Sequence, residues 1–144
     1  MKTVAEILKS KPHSDIYSVS STASVLDAIT LMAEKGIGAL VVLDGEQLVG
    51  IVSERDYARK VALLERSSLN TSVSEIMTAE VITVDPRQSN QLCMQLMTDK
   101  RLRHLPVLDG GKLIGLLSIG DLVKDIIAEQ QTLIHQLEQY IRGE

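Results

Sequence analysis

The chain has 144 residues, which is enough to bury a hydrophobic core without disulfides. Hydrophobic residues make up 44% of it but Phe and Trp are absent, so aliphatic side chains and Met must form a core of the kind that suits buried strands and their covering helices. The formal net charge of -4 argues against nucleic acid and anionic membrane surfaces as partners.

The N-terminus and the single cysteine indicate the compartment. Glu6 and Lys9 occupy positions at which a signal peptide needs an apolar run, and no stretch of the chain reaches membrane-spanning length. Cys93 has no internal disulfide partner and lies between Leu92 and Met94, which predicts a small buried hydrophobe. We therefore expect a soluble protein of the reducing cytoplasm.

An internal repeat organises the chain. Residues 15–56 match residues 80–121 at a constant offset of 65 positions without a gap. The matches include polar and glycine positions as well as apolar ones. They are Val19 with Val84, Met32 with Met97, Asp44 with Asp109, Gly45 with Gly110, Leu48 with Leu113, Gly50 with Gly115, Ser53 with Ser118, and Asp56 with Asp121. Two similar units are therefore present.

A short helix is predicted ahead of each unit. Residues 3–8 resemble residues 72–77 at an offset of 69, and each segment begins with a hydroxyl followed three residues later by Glu, the pattern of a capping box. The change of offset places extra residues near Pro12, which favours a loop. The predicted domains are residues 1–69, the first unit with its N-terminal helix; 70–128, the second unit; and 129–144, a C-terminal helical extension.

Each unit has the pattern strand, helix, strand, strand, helix, which predicts an α/β fold of two pseudo-symmetric β-α-β-β-α units packed together. In the first unit we expect strands at 16–19, 39–43 and 48–52, a helix at 24–35, and a second helix from Ser53. In the second unit we expect strands at 81–84 and 113–117 and a helix from Ser118. The turn signals Asp44-Gly45 and Asp109-Gly110 indicate that the later strands of each unit form a hairpin.

The last helix is predicted to run on to about Tyr140, beyond the end of the second repeat. Its apolar stripe is longer than one unit can bury, and an exposed stripe of that length would be an aggregation liability in a monomer. The stripe consists of Val123, Ile126, Ile127, Leu133, Ile134, Leu137 and Ile141. This pattern predicts a homodimer.

Residues 50–56 and 115–121 carry the candidate chemistry. In each segment a predicted strand delivers a Ser to a helix start, and an Asp follows one turn later. The hydroxyl and free amides of a helix start suit a phosphate, and an Asp carboxylate can accept hydrogen bonds from two vicinal ribose hydroxyls. The same Ser-x-x-Asp pattern also caps helices with no ligand at all, so ligand binding and capping stand as alternatives.

The doubled pattern resembles a tandem pair of CBS domains, also called a Bateman module. The resemblance is carried by the strand Leu105-Pro106-Val107-Leu108-Asp109 and by the Gly-x-x-Ser-x-x-Asp end of each unit, and it extends from about Thr3 to Ala128. It implies a pseudo-two-fold pair of units with two clefts between them. Each cleft would hold an adenosine-containing ligand such as AMP, ADP, ATP, NAD(H) or S-adenosylmethionine.

The same resemblance implies roles for particular residues. Ser53 and Ser118 would contact phosphate, and both stand where the family commonly has Thr. Asp56 and Asp121 would hold ribose. The adenine pockets would be lined near Tyr17 and Ile82, with Thr78 close by, and Arg103 and His104 would be basic phosphate-binding residues. Arg55 is either a solvated helix charge or a phosphate ligand at the cleft mouth.

Other sites fail on spacing. His13, His104 and His135 are too scattered to form a metal site. A Ser-His-Asp arrangement built on Ser53 or Ser118 is not expected, since neither repeat brings a His of its own near the Ser.

Three functions compete on this sequence. The first is a regulatory module whose occupancy by AMP, ATP or NAD(H) is sensed by an unknown effector protein. The second is a purely structural or oligomerising module in which Ser-x-x-Asp only caps helices. The third, an enzyme acting on an adenine nucleotide, is weakest because no nucleophile, general base or metal cluster can be assembled, so we expect no catalysis.

Basic charge is uneven between the repeats at Arg55 and Arg103, which predicts two inequivalent clefts.

Overall fold

A computed structural model describes residues 2–12 and 15–143 of the chain. It contains two compact units. The first unit is Asp15–Ile82, and the second combines the described residues of Met1–Ser14 with those of Thr83–Glu144. Both are mixed α/β, which confirms the predicted fold class. The sequence-based division at 69/70 and 128/129 stays a prediction about repeat boundaries, because the compact units group the chain differently.

The elements are numbered in chain order. They are α1 (Val4–Ser10), β1 (Ser18–Val19), α2 (Val25–Lys35), β2 (Ala39–Asp44), β3 (Gln47–Ser53), α3 (Glu54–Tyr57), α4 (Asn90–Lys100), β4 (His104–Asp109), β5 (Lys112–Ser118) and α5 (Ile119–Arg142). A π-helical turn, Ala58–Ala62, continues α3, and a single 3-10 turn is formed by Val73–Glu75.

The first unit is built around a three-stranded sheet in the order β1-β2-β3. Strand β1 is parallel to β2, and β2 and β3 form the predicted antiparallel hairpin. Helix α2 turns its apolar face to the sheet, and residues 72–78 close the core. The buried cluster consists of Val25, Ala28, Met32, Leu40, Val42, Val52, Val61, Val73 and Ile76.

The second unit repeats the hairpin as β4-β5 but lacks a full first strand. Residues 81–84 were predicted as a strand, and only Val84 bridges β4, in parallel with Val107. The reason is Pro106, which stands where the first unit has Val41. Proline has no N–H to donate, so the parallel ladder cannot extend by one more residue. Cys93 is buried in this unit, as predicted.

Side-chain caps begin the main helices at the predicted residues. Ser24 caps α2, Ser53 caps α3 and Ser118 caps α5. The predicted capping box forms at Thr3 and Glu6. At the second predicted box the Ser72 amide donates to the Glu75 carboxylate at 2.8 Å, but a single 3-10 turn follows instead of the predicted helix. These short-range hydrogen bonds satisfy amides that the helix itself leaves unpaired, which explains why the helix starts can be located from sequence.

The two repeats exchange their N-terminal segments. The first arm, Thr3–Lys11, belongs to the second unit, where the Val4 amide donates to the Gln88 carbonyl at 2.8 Å. The second arm, Ser72–Thr78, belongs to the first unit, where the Val73 amide donates to the Ala23 carbonyl at 2.8 Å. The two hydrogen bonds join matching positions of the two repeats. Each arm therefore packs on the unit that the other repeat forms.

Glycine permits the close approach of each arm to a strand. A Cβ added to Gly50 on β3 would lie 2.5 Å from Met77 Sδ and 3.1 Å from the Thr78 carbonyl oxygen. A Cβ added to Gly115 on β5 would lie 2.7 Å from Leu8 Cδ2. Each arm therefore packs closely against a glycine, and at Gly50 the space is limited by a backbone atom as well as by a side chain.

Helix α5 is a 24-residue helix whose C-terminal half extends past the core of the second unit. Leu122 is fully buried near its start, whereas Leu133, Ile134 and Leu137 are 55%, 54% and 52% exposed. The predicted long helix with an unburied apolar stripe is confirmed. No helix within residues 2–12 and 15–143 combines the length and the apolar character needed to cross a membrane.

The packing at Gly50 generates a stability prediction. Gly50→Ala should lower the free energy of unfolding by about 1–3 kcal/mol, since the new methyl group meets a backbone carbonyl that is hydrogen-bonded to β3. Gly115→Ala should cost less, because it meets only the flexible end of Leu8. Gly38→Ala is the matched control, since its Cβ would lie 3.7 Å from the nearest atom, an ordinary contact. Chemical denaturation measures all three, and equal effects at Gly50 and Gly38 would contradict the packing account.

Candidate functional site

The Ser53–Asp56 site lies where β3 leads into α3. The Ser53 amide and hydroxyl both donate to Asp56 Oδ2, at 2.9 and 3.0 Å, and the Asp56 amide donates back to Ser53 Oγ at 3.2 Å. The Glu54 amide donates to the Gly38 carbonyl at 3.0 Å, which ties the helix start to the beginning of β2. The predicted Ser and Asp are thus brought together as a reciprocal cap.

The Ser118–Asp121 site repeats this geometry where β5 leads into α5. The Ser118 amide donates to Asp121 Oδ2 at 2.8 Å, and the Asp121 amide donates to Ser118 Oγ at 3.2 Å. The Ile119 amide donates to the Arg103 carbonyl at 2.9 Å, the counterpart of the Glu54 to Gly38 bond. Both sites therefore share one backbone frame.

Each carboxylate also forms an ion pair with a lysine, and neither lysine is among the predicted site residues. Lys60 Nζ lies 3.5 Å from Asp56 Oδ1, and Lys11 Nζ lies 3.0 Å from Asp121 Oδ2. A sequence signal existed for Lys60, since Asp and Lys four residues apart share a helix face. Lys11 comes from the first arm, far from Asp121 along the chain, and local sequence patterns carry no signal for it.

The basic residues predicted at the second site, Arg103 and His104, differ in solvent exposure. His104 is opposite Ser118 in the β4-β5 register and is largely shielded from solvent, whereas the Arg103 side chain is exposed. Burial lowers the pKa of His104 below its ordinary value; the Asp121 carboxylate raises that pKa, and the cations Lys11 and Arg103 lower it. His104 is therefore mainly neutral at pH 7 and offers a phosphate no full positive charge.

The position of His104 also corrects one expectation. We expected no His near either Ser, yet His104 is the cross-strand neighbour of Ser118. Within the described part of the chain no hydrogen bond joins their side chains, and Ser118 Oγ accepts the Asp121 amide instead. The serine oxygen thus functions as a helix cap, and the geometry does not assemble a nucleophile with its base.

The remaining predicted residues are spread over the first unit. Tyr17 is half-buried against the core, with Lys35 Nζ 5.2 Å from the centre of its ring. Thr78 pairs with Ile51, two residues before Ser53, which brings it to the same strand end. Ile82 is half-buried at the end of the unit and Arg55 is exposed on α3. Their roles in adenine or phosphate contact stay predictions.

A separate groove lies between α1 and α5 in the second unit. Its volume is about 510 Å³, and its lining includes Lys2, Glu6, Asp125 and Gln136. The Asp125 side chain is buried there and accepts a hydrogen bond from Asn90 Nδ2 at 2.6 Å. None of the predicted site residues lines this groove. Across the described ranges, no group of three or more His, Cys, Asp or Glu is placed to hold a metal ion.

Chemically, each site presents a half-buried carboxylate, a serine at a helix start and an ammonium group. Hydroxyl donors of a ligand can use the lone pairs that the cap leaves on the carboxylate, and the lysine can pair with an anion. The caps are nevertheless complete without any ligand. The arrangement is thus compatible with both alternatives raised by the sequence.

Comparison with known proteins supplies the family. The CBS domain model matches residues 4–63 and 73–128. A CBS-domain protein of known structure from Burkholderia ambifaria MC40-6 is 66% identical, with a TM-score of 0.87 over 90% of this chain and 96% of that one. The CBS domain-containing protein CBSX3, mitochondrial, of Arabidopsis thaliana is 42% identical over 98% of this chain and 72% of its own length.

A more distant structural neighbour has been crystallised with ligands. The CBS domain pair of protein MJ0100 matches 90% of this chain and 98% of its own with a TM-score of 0.77 at 24% identity, which shows the shared fold. Its structure is a complex with 5'-methylthioadenosine and S-adenosyl-L-methionine.

The setting of His104 generates a titration prediction. In NMR titrations the pKa of the wild-type imidazole should lie below the ordinary value of 6.5. Lys11→Met should raise this pKa because it removes a cation. Asp121→Asn should lower it further because it removes a carboxylate. Because the folded-state pKa is lowered, the His104 imidazole binds a proton more readily in the unfolded chain. Its contribution to the free energy of unfolding should therefore decrease as the pH falls below about 6.5. Identical midpoints in all three proteins would contradict the electrostatic coupling between these groups.

Proposed function

The chain belongs to the CBS-domain family, and from that membership we propose that it is a regulatory module that binds adenosine nucleotides at the Ser53–Asp56 and Ser118–Asp121 sites. The observation that carries the proposal is the paired geometry. The same Ser, Asp and lysine groups recur at two helix starts, although the lysines come from unrelated positions of the repeat. A cap alone needs no cation.

The ligand class follows from the chemistry of these groups. A carboxylate suits the vicinal hydroxyls of ribose, and a helix start with an adjacent ammonium suits phosphate. The two ligands of the MJ0100 pair share the adenine and ribose of this class and carry no phosphate, so they support the adenosine part of the proposal alone. We propose AMP, ATP or NAD(H) as ligands, with Tyr17, Thr78 and Ile82 at the adenine.

Regulation requires that the nucleotide bind one conformation of the protein more tightly than another. An effector protein would then recognise the favoured conformation. Arg55 and Arg103 are exposed and are proposed as phosphate contacts, without assignment of either to one of the two sites. We infer a binding role rather than catalysis, because the serine oxygens at both sites accept amide hydrogen bonds as helix caps.

A second function, a structural module without ligand, is favoured by one observation. The reciprocal Ser–Asp caps form without a ligand, so stability alone accounts for the Ser-x-x-Asp pattern. This alternative gives no reason for Lys11 and Lys60 to be placed at the carboxylates.

We also propose that the protein is a homodimer that associates through α5. The exposed apolar residues beyond Ala128 lie on one face of the helix, and a second copy of that face is apolar in the same way. A cytoplasmic location remains a proposal as well, and one relative is named as mitochondrial.

The proposed function predicts two nucleotide sites that depend on the aspartates. In calorimetric titrations with AMP, ATP and NADH, Asp56→Asn and Asp121→Asn should each remove one site, because an amide lacks the second acceptor oxygen that ribose needs. Asp27→Asn is the matched control: Asp27 follows Ser24 with the same spacing at the start of α2, but it is exposed, and no lysine in the described part of the chain forms an ion pair with it. If folded, nucleotide-free protein binds none of the three ligands, the proposed nucleotide function is wrong.

The α5 face predicts a variant that separates dimer from monomer. Leu137→Glu should shift the mass measured by light scattering from dimer to monomer, because it places a charge in the apolar contact. His135→Glu, on the opposite side of the same helix turn, should leave the mass unchanged. A monomeric wild-type protein would refute the dimer, and a dimer that survives Leu137→Glu would locate the contact away from this face.

A further inference from the structure

Lysine ammonium groups are fixed at both carboxylates by a second contact. Lys11 Nζ, besides its contact with Asp121, donates to the Leu116 carbonyl at 2.8 Å. Lys60 Nζ, besides its contact with Asp56, donates to the Ile76 carbonyl at 2.9 Å. A carbonyl anchor restricts a side chain that is otherwise flexible, so the charge is held near one position.

The lysines reach their sites from different places in the repeat. Lys60 follows Asp56 by one helical turn and binds a carbonyl of the second arm. Lys11 is the C-terminal residue of the first arm and binds a carbonyl of β5. At the repeat offset of 65, Lys60 corresponds to Asp125, and at the arm offset of 69, Lys11 corresponds to Glu80. The two cations are therefore independent features of this chain.

The carboxylate oxygens are used differently at the two sites. Asp56 has Oδ2 engaged by Ser53 and Oδ1 engaged by Lys60. Asp121 accepts both the Ser118 amide and Lys11 on Oδ2. In the ranges that the structure describes, no group donates a hydrogen bond to Asp121 Oδ1. Ribose hydroxyls can thus bind Asp121 while Lys11 stays in place, whereas at Asp56 they must share Oδ1 with Lys60.

Lys11 is well placed to act on the rest of such a ligand. Its side chain is 25% exposed and that of Asp121 is 17% exposed, so the pair lies at the surface of the site with less screening than in open water. An ammonium group has three N–H donors, and the Asp121 and Leu116 oxygens occupy two of them. The third is available to a phosphate carried by the same ribose.

We propose that Lys11 is a specificity-determining residue, which selects phosphorylated over unphosphorylated adenosine at the Asp121 site. The proposal rests on the proposed nucleotide function and deepens it. The first arm then contributes directly to a binding site that its own repeat does not form. Lys60 has a different effect, because it competes with ribose for Asp56 Oδ1.

The test compares AMP with adenosine in calorimetric titrations of the full chain in an Asp56→Asn background, which isolates the Asp121 site. Lys11→Met should weaken AMP binding about tenfold, the loss of one charge-assisted contact, and should leave adenosine binding within about twofold. Lys11→Arg should retain most of the preference for AMP. Lys9→Met, at an exposed lysine of the same arm, is the control and should change neither affinity.

The outcomes separate this inference from the function on which it rests. If the background protein binds neither ligand, the nucleotide function and the inference both fail. If it binds both, and Lys11→Met weakens AMP and adenosine equally or changes neither, the nucleotide function stands and Lys11 does not select phosphate. Thermal unfolding identifies any loss of fold in Lys11→Met. If that variant unfolds, Lys11→Gln takes its place, since Gln also lacks the charge but keeps an N–H donor for the Leu116 carbonyl.

Discussion

The hydrogen bond from the Ser118 amide to Asp121 Oδ2, 2.8 Å long, fixes the start of α5 and, with its counterpart at Ser53 and Asp56, sets the frame of both sites. A carboxylate in this position must satisfy the helix first, and only its remaining lone pairs are available to a ligand. Under the proposed function, stability and nucleotide binding would use the same side chain. The cap holds that carboxylate in place without a ligand, which would reduce the entropic cost of binding.

The exchange of arms connects each site to a distant part of the chain. The first arm reaches β5 through the gap left by Gly115 and ends in Lys11 at Asp121. A ligand that moves Lys11 would act on the arm, and a ligand that moves Asp121 would act on α5. This helix continues without a break from the site to its exposed apolar face. Under the proposed function, α5 would connect the Asp121 site to the proposed association face, and a nucleotide would act through it by binding more tightly to one position of the helix.

The sequence predicted the features that depend on neighbouring residues. Helix starts at Ser24, Ser53 and Ser118 were located because a cap and its partner are three residues apart, and both hairpins were located from their Asp-Gly turns. The loss of a strand before Pro106 was missed, although proline gives a local reason for it. Repetition at a fixed offset led us to expect that both units would be complete.

Features that depend on contacts between distant segments could not be predicted from local sequence patterns. The pairing of each arm with the other repeat's unit requires hydrogen bonds such as Val4 to Gln88, and no periodicity reports them. The same limit applies to Lys11 at Asp121 and to His104 beside Ser118. The register of β4 on β5 follows from the Asp109-Gly110 turn, so the proximity of His104 to Ser118 can be derived from the hairpin and not from the repeat offset.

The central claim is that the Asp121 carboxylate is shared between a helix cap and a ribose. A crystal structure of the full chain with AMP tests it most directly. The account predicts that the ribose hydroxyls lie within hydrogen-bond distance of the Asp121 carboxylate while the Ser118 amide still donates to Oδ2. Nucleotide bound elsewhere, for example in the groove beside Asp125, with no ribose contact at Asp121 or Asp56, would contradict it.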